Sequence, residues 1–130
     1  MTENPPPPHK KPLFWISSAK KDLITFPDDV QDTFGFALRD AQFGGKHADA
    51  KALKGFGGAG VLEVVEDYQT DTYRCVYTVK FDDAVYVLHA FQKKSKSGKA
   101  TPKQDIDLVK SRLKLAQEDY EARNEKHERH

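Results

Sequence analysis

Residues 61–91 read VLEVVEDYQTDTYRCVYTVKFDDAVYVLHAF, and this stretch decides the fold. Three apolar runs alternate in it with two short polar links. The runs span 61–66, 73–81 and 84–91, and the links span 67–72 and 82–83. Links this short permit antiparallel pairing, because a parallel crossover needs about a dozen or more residues. The stretch therefore predicts a three-stranded antiparallel meander.

Alternation within these runs assigns side chains to two faces of the sheet. In the second run, one face holds Arg74, Val76, Thr78 and Lys80, and the other holds Tyr73, Cys75, Tyr77 and Val79. In the third run, the same rule groups Val85, Val87, His89 and Phe91 against Tyr86, Leu88 and Ala90. The tyrosines and Cys75 are predicted to be core residues, and Arg74 is the central cation of the sheet.

Two helices are predicted ahead of the meander, after a short first strand at 13–16. A serine (Ser17 or Ser18) suits the cap of a helix that runs to about residue 26. Pro27 then opens a second helix, with two aspartates near its positive end. Its apolar stripe consists of Val30, Phe34, Ala37, Leu38 and Ala41. We expect the pair to form a helical hairpin.

The meander ends in a lysine-rich segment. Lys93, Lys94, Lys96, Lys99 and Lys103 belong to it, and no carboxylate lies among them. A last helix then begins, with Thr101 as predicted N-cap, Pro102 as first residue and Gln104 completing a capping box. An apolar stripe from Ile106 to Tyr120 predicts that this helix packs on the sheet.

These elements predict an α+β fold in the order β-α-α-β-β-β-α. It has a mainly antiparallel sheet, an N-terminal helical hairpin and a C-terminal helix. A chain of 130 residues holds one domain, which we expect at 13–120. The proline-rich segment 1–12 is predicted to be a disordered tail, and the charged segment 121–130 a second tail.

Composition restricts the function. The net charge is only +1, so an argument for nucleic-acid binding must rest on local clusters of charge. The single cysteine, Cys75, excludes an intrachain disulfide and fits a reducing, cytoplasmic location. No apolar run is long enough to span a membrane, and the first residues lack the apolar stretch of a signal peptide. His127 and His130 have no third ligand nearby, so they are not expected to bind a metal.

Residues 55–60 read GFGGAG and match the G-x-G-x-x-G pattern of nucleotide-binding loops. That loop follows a strand and opens a helix, whereas these glycines follow a polar segment and precede a strand. We therefore interpret them as the entry to a strand, where glycine permits a close approach of two backbones.

Five short patterns occur in order between residues 51 and 102. They are K-x-L-x-G at 51–55, an aliphatic residue and Glu at 62–63, Tyr-Arg at 73–74, aliphatic-x-x-Phe-x-Lys-Lys at 88–94, and Thr-Pro at 101–102. In this order they resemble the phage-derived branch of the HigB-type toxins, in the RelE/ParE superfamily, over about residues 13–117. The family often has a tryptophan at 61–64, where this chain has valine or leucine; we interpret that as a packing change.

The resemblance implies a RelE/ParE-like fold and the toxin of a type II toxin–antitoxin pair. Such toxins are mostly ribosome-dependent mRNA endonucleases that work without a metal. A cognate antitoxin, often carrying a helix-turn-helix DNA-binding domain, silences them. The implied protein is a cytoplasmic endoribonuclease that meets an antitoxin, the ribosome and mRNA, with no cofactor and no membrane.

Metal-free RNA cleavage needs a base for the 2′-hydroxyl, cations for the phosphorane and an acid for the leaving oxygen. Arg74 is the first candidate, since a guanidinium can grip a phosphate with two hydrogen bonds. The alternative is an ion pair with Glu63 on the neighbouring strand. Both roles can coexist, with Glu63 orienting the guanidinium.

Lys93 and Lys94 follow the last predicted strand, and we expect one of them to contact the scissile phosphate or to act as the base. His89 is a further catalytic candidate, although its face predicts a buried structural histidine equally well. The other lysines are predicted to contact RNA without catalysing: Lys51, Lys54, Lys96, Lys99 and Lys103.

Two other functions stay open from the sequence. A ParE-like toxin of the same fold poisons DNA gyrase and needs no catalytic residues. A binding module would use the lysine cluster only to dock RNA or an acidic partner.

Overall fold

The computed structural model describes residues 9–58, 60–93 and 100–128, with side chains as far as residue 125. Within these residues the chain forms five strands and three helices. In chain order they are β1 (Leu13–Trp15), α1 (Ala19–Leu23), α2 (Asp28–Gln42), β2 (Ala50–Ala52), β3 (Val61–Tyr68), β4 (Asp71–Thr78), β5 (Val85–Lys93) and α3 (Lys103–Glu128). The predicted α+β class is confirmed, with one strand more than expected.

The strands form one sheet in the order β1-β5-β4-β3-β2. The predicted meander is confirmed, because β3, β4 and β5 are antiparallel neighbours. β2 extends the sheet antiparallel to β3, and β1 pairs with β5 in parallel. β4 and β5 therefore have neighbours on both sides, and most of their residues are buried.

β2 is the strand that the sequence did not predict. It has three residues, of which Ala50 is buried and Lys51 is exposed. Alanine and lysine are depleted in strands, so the polar segment 46–54 carries no strand signal. A very short edge strand with a lysine is one of the ways in which proteins protect a sheet edge from pairing with other chains.

The sheet separates two cores. On one side, the α1–α2 face, α2 buries the predicted apolar stripe together with Tyr73, Cys75 and Tyr77 of β4, as expected. On the other side, the α3 face, Val109 and Ala116 of α3 pack in a second core. The candidate functional site lies on the α3 face.

α1 and α2 meet at a tight joint. α1 ends at Leu23, earlier than predicted, and Pro27 directly precedes α2. Gln31 closes the joint, because its Nε2 donates to the carbonyls of Ile24 at 3.1 Å and Phe26 at 2.8 Å. These bonds occupy carbonyl groups that the end of a helix leaves without intrahelical partners.

The predicted capping box at the start of α3 is wrong. The Thr101 hydroxyl donates to Oε2 of Glu63 at 2.6 Å instead of capping the helix. The carbonyl of Pro102 accepts the first helical N–H groups, from Asp105 and Ile106. The local sequence is that of a helix N-cap, but the carboxylate of Glu63 on β3 accepts the hydrogen bond of the same hydroxyl.

α3 continues to Glu128, past Tyr120, where the sequence predicted the end of its packed part. Arg123 accounts for one turn of the extension. Its guanidinium lies 3.8 Å from the ring centroid of Phe14, and its Nε donates to Asp119 at 2.7 Å. A long cationic side chain can thus cover apolar surface that a stripe of aliphatic residues does not reach.

The glycine-rich segment leads into β3 rather than into a helix. Gly60 has a φ of +69°, and a Cβ there would lie 3.1 Å from the backbone nitrogen of Lys80. Its carbonyl accepts the backbone N–H of Val79 at 2.9 Å. The interpretation as a close approach of two backbones is confirmed, and the strand–loop–helix context of a nucleotide loop is not present in this part of the described chain.

Candidate functional site

Sheet register brings several predicted site residues to the α3 face. Glu63 of β3 lies opposite Lys51 of β2, and Lys93 of β5 lies opposite Thr72 of β4. Residues opposite each other in antiparallel strands point to the same face, and Arg74, two residues from Thr72, shares that face. Lys51, Glu63, Arg74 and Lys93 therefore reach one face from four neighbouring strands.

Glu63, Arg74 and Thr101 form a closed triangle of hydrogen bonds. Arg74 Nη1 donates to Glu63 Oε1 at 3.3 Å and to the Thr101 hydroxyl at 3.0 Å. The same hydroxyl donates to Glu63 Oε2 at 2.6 Å. The triangle ties β3 and β4 to the start of α3. We call Glu63, Arg74 and Thr101 the polar triangle.

The ion pair that the sequence offered as an alternative role for Arg74 is therefore present. Arg74 is 1% exposed and Glu63 is 9% exposed, so the pair is buried. Burial strengthens the attraction between the two charges but also makes each depend on the other for solvation. Sequence reasoning missed Thr101 as a member of this cluster, because its fit to a helix N-cap concealed the longer-range contact.

An open hollow lies beside the triangle on the β2–β3 side. Its volume is about 150 Å³, and it is lined by Asp49, Lys51, Glu63 and Val65. Val65 lies opposite Arg74 in the register, and it is 36% exposed because β2 pairs with β3 only as far as Val64. The polar triangle thus borders the part of the α3 face that solvent reaches.

Lys93 is the last residue of β5, whereas the sequence predicted that the strand ends at Phe91 and that Lys93 follows it. Its Nζ donates to the carbonyl of Ala100 at 3.3 Å. That contact holds the ammonium group near the chain that leads into Thr101 and hence near the triangle. Lys94, Lys96 and Lys99 lie outside the described residues.

The remaining predicted RNA-contact residues are exposed. Lys51 is at the hollow, and Lys54 follows β2. Lys103 lies at the start of α3, where its Nζ is 3.2 Å from Asp107 Oδ2. The structure brings Lys51 to the triangle, and it records no contact between the triangle and the side chains of Lys54 or Lys103.

The face predicted for His89 is wrong, and a β-bulge is the reason. β4 and β5 pair regularly except that Val76 lies opposite His89 while Tyr77 lies opposite Val87. Leu88 is the extra residue, and one extra residue inverts the alternation beyond it. His89 and Phe91 therefore point to the α3 face, where their rings stack with centroids 4.6 Å apart.

His89 has a partner at each ring nitrogen. Nε2 lies 2.8 Å from Asp105 Oδ1, and Nδ1 lies 3.4 Å from Arg112 Nη1. Since arginine can only donate, Nδ1 accepts and the proton of the neutral ring sits on Nε2, pointing at Asp105. Burial is the main cause that lowers the pKa of His89, and the charge of Arg112 acts in the same direction.

Arg112 extends this contact into a chain of hydrogen bonds. Its Nη1 donates to the carbonyl of the bulge residue, Leu88, at 3.0 Å. Its Nη2 donates to the Ser18 hydroxyl at 3.1 Å. Ser18 in turn donates to Asp22 Oδ2 at 2.8 Å. Asp105, His89, Arg112, Ser18 and Asp22 thus link α3, β5 and α1. We call these five residues the histidine network; sequence reasoning found only its histidine.

Comparison with protein families identifies the chain. Residues 21–114 match the family described as "Phage derived protein Gp49-like (DUF891)". The chain belongs to this family. It is a family of type II toxins. No curated protein and no solved structure matches the chain.

The part of this Gp49-like chain that matches the family runs from α1 into α3. It contains the whole polar triangle, Lys93, and all of the histidine network except Ser18. Thus, apart from Ser18, both clusters lie within the segment that matches the family.

Two buried groups on the α1–α2 face are chemically quiet. Burial raises the pKa of Cys75 to about 12 and that of Tyr77 to about 12. Neither group is ionised near neutral pH, so Cys75 is not an activated thiolate. Both residues act as core residues, as the sequence predicted.

The described residues contain no cluster of three or more His, Cys, Asp or Glu side chains placed to hold a metal ion. In the same part of the Gp49-like chain, no helix combines the length and the apolar character that crossing a membrane would require.

Proposed function

We propose that this Gp49-like protein is the toxin of a type II toxin–antitoxin pair, with a HigB-type, RelE/ParE-like fold. In this proposal it cleaves mRNA on the ribosome without a metal, and a cognate antitoxin silences it. The observation that carries the proposal is the polar triangle beside an open hollow. There, Arg74 donates hydrogen bonds to a carboxylate and a hydroxyl. Lys51 of β2 and Lys93 of β5 lie on the same face of the sheet.

Cleavage would proceed through the 2′-hydroxyl of the RNA. A base removes its proton, the 2′-oxygen attacks the phosphorus, and the bond to the 5′-oxygen breaks after that oxygen gains a proton. The products are a 2′,3′-cyclic phosphate and a 5′-hydroxyl. Negative charge grows on the non-bridging oxygens, so a fixed guanidinium lowers the barrier by electrostatic stabilisation.

Arg74 is the charge-stabilising residue in this mechanism, and Glu63 is its positioning residue. The Thr101 hydroxyl accepts one of the two hydrogen bonds that Arg74 Nη1 donates. A phosphate oxygen would replace this hydroxyl as the acceptor. The ion pair with Glu63 would remain and fix the plane of the guanidinium. The phosphate would enter from the hollow, where Val65 leaves the sheet open.

The base in this proposal is a lysine of the segment that ends β5, Lys93 or Lys94. The uncharged form of a lysine is the form that accepts a proton. His89 is less suited to this role, because Nε2 is directed at Asp105 and Nδ1 at Arg112. Lys51 would hold the RNA backbone at the hollow.

The proposal is tested with Arg74→Lys in a reconstituted translation system. Lysine keeps the positive charge beside Glu63 but loses the fork that holds a phosphate by two bonds. We expect the wild type to cut ribosome-bound mRNA and Arg74→Lys to lose on the order of a hundredfold or more in rate, as when one preorganised donor is removed. Primer extension on the mRNA measures the cuts.

Lys103→Ala is the matched control, since Lys103 is a cation near the site that makes no contact with the triangle. It should cut within about threefold of the wild type, as expected when one peripheral phosphate contact is lost. If the wild type leaves mRNA intact and instead inhibits supercoiling by gyrase, the nuclease proposal fails and the ParE-like function replaces it.

A binding module without catalysis is the second candidate, and the 1% exposure of Arg74 favours it. In that case the wild type binds RNA but does not cut it. Substitution of each exposed lysine would then weaken binding by similar, graded amounts. An all-or-none loss at Arg74 would argue against this candidate.

A further inference from the structure

The outer face of α2 carries two exposed aromatic rings. Phe36 is 64% exposed and Phe43 is 38% exposed, although the same helix buries its apolar stripe completely on the other side. The two rings are seven residues apart, which is about two turns or roughly 10 Å along the helix. They therefore lie above each other on one side of α2, and Arg39 lies between them.

α2 exposes an acidic side chain one turn before and one turn after Phe36, and two more in its first turn. Asp28, Asp29, Asp32 and Asp40 are exposed on the same helix, and helical spacing places Asp32, Phe36, Arg39 and Phe43 on one line. Among the described residues, the carboxylates of these four aspartates have no hydrogen-bond or ion-pair partner. The one cation on this line, Arg39, lies over the ring of Phe43 at 5.9 Å.

This surface has a sign of its own. On α2 itself, four exposed carboxylates accompany one guanidinium, whereas the whole chain has a net charge of +1. In protein interfaces, aromatic side chains typically lie at the centre and polar side chains at the border. An acidic rim raises the rate of association with cations and repels acidic partners, including RNA.

We infer that the outer face of α2, made by Asp32, Phe36, Arg39, Asp40 and Phe43, binds a basic amphipathic helix of a partner protein. Apolar side chains of that helix would pack around Phe36 and Phe43, and its lysine or arginine residues would pair with the unpartnered aspartates. The two helices would pack side by side, with apolar anchors of the partner recurring at i, i+4 and i+7 as in a coiled-coil contact. The surface is on the opposite side of the sheet from the polar triangle, so a partner could occupy it while the hollow stays open.

This inference does not depend on the proposed nuclease activity. Its probe is a helix-stabilised peptide with leucine at positions i, i+4, i+7 and i+11 and lysine at most other positions. A peptide with glutamate in place of every lysine is the control for charge, and a scrambled lysine peptide is the control for pattern. Calorimetry measures the affinity, and backbone amide shifts show where the peptide binds.

We expect the lysine peptide to bind the full chain, to shift amides of α2, and to weaken as salt rises. The double variant Phe36→Ser, Phe43→Ser should bind it about tenfold or more weakly, since anchors of this kind carry most of the energy of an interface. Asp32→Asn with Asp40→Asn should reduce both the affinity and its dependence on salt. Because all four side chains are exposed, these variants are expected to fold.

Leu115→Ser is the matched control. Leu115 is also an exposed apolar residue, at 46%, but it is on α3. It should leave the affinity unchanged. Three results would overturn the inference: equal binding by the phenylalanine double variant, equal binding of the glutamate or scrambled peptide, or a dimer of the wild type that the phenylalanine double variant dissolves. The last result would assign the surface to a second copy of the chain.

Discussion

The two faces of the sheet bury different chemistry. The core on the α1–α2 face is made of aliphatic and aromatic side chains and Cys75. In the described part of the chain, every buried acidic or basic side chain is on the other side: Glu63, Arg74 and His89 on the sheet, and Arg112 on α3. One face is thus built for packing, while the other holds charges whose positions depend on one another.

The difference matters because the two kinds of core fail differently. Truncation of a buried apolar side chain lowers the free energy of unfolding, because transfer free energy is lost and a cavity is left. A second truncation does not recover this loss. Removal of one member of a buried ion pair leaves an unpaired charge, and removal of the second member relieves the penalty. Rescue by a second substitution therefore distinguishes the faces.

The largest effect is expected for Arg74→Met. It leaves Glu63 with a buried carboxylate that has lost its cation, and we expect a loss of about 3–5 kcal/mol in the free energy of unfolding. The double variant Arg74→Met, Glu63→Leu should recover most of that loss. Urea denaturation of the wild type, both single variants and the double variant measures the coupling.

Leu38→Ala is the comparison on the α1–α2 face, where Leu38 is buried against the sheet. It should cost about 2–5 kcal/mol. A second apolar truncation beside it, Phe34→Leu, should add to the loss instead of relieving it. If Arg74→Met and Glu63→Leu are also additive, the polar triangle is not an energetic unit and the contrast between the faces is wrong.

A smaller effect is expected for Thr101→Val, which keeps the shape of the side chain and removes the hydroxyl. It takes one bond from Glu63 and one from Arg74, so we expect a loss of about 1–2 kcal/mol. Thr101→Ser, which keeps the hydroxyl, should cost less. The effect of Thr101→Val should shrink in a Glu63→Leu background; a loss of the same size there would mean that Thr101 acts as a helix cap after all.

The sequence predicted the α1–α2 face well, because that face follows from periodicity alone. Two local signals predicted it: the stripe on α2 that includes Phe34 and Leu38, and the alternation on β4 that directs Tyr77 to the face away from Arg74. The burial of Phe34, Leu38 and Tyr77 in this core confirms both signals. The meander followed in the same way from the length of its links.

The α3 face was harder to predict, because its features depend on contacts between distant segments. The bulge at Leu88 has no signature in the sequence, yet it moves His89 to the other face. Thr101 fits an N-cap locally and is taken by Glu63 from 38 residues away. Arg112 does not belong to the apolar stripe of the last helix, yet it is only 8% exposed. The pair of Glu63 and Arg74 was the exception, since two adjacent strands in a known order place opposite charges within reach.

The smallest effect concerns the pH dependence contributed by His89. Its pKa in the folded protein is lowered below the ordinary value of 6.5, with burial as the first cause. The unfolded chain therefore takes up this proton at a higher pH than the folded chain does. Stability from this group is complete above about pH 6.5 and falls as the pH drops from there towards the folded pKa, by at most about 1.4 kcal/mol per pH unit.

His89→Gln removes the titrating ring while leaving an amide that can donate to Asp105. The difference in unfolding free energy between wild type and His89→Gln should therefore change with pH below 6.5, in the direction that favours the variant, and stay constant above it. Urea titrations from about pH 5 to about pH 8, the range in which histidine changes charge, measure this difference. A difference that favours the wild type increasingly at low pH would mean that His89 is held by Asp105 as a cation, and that the α3 face buries an ion pair there instead of a neutral ring.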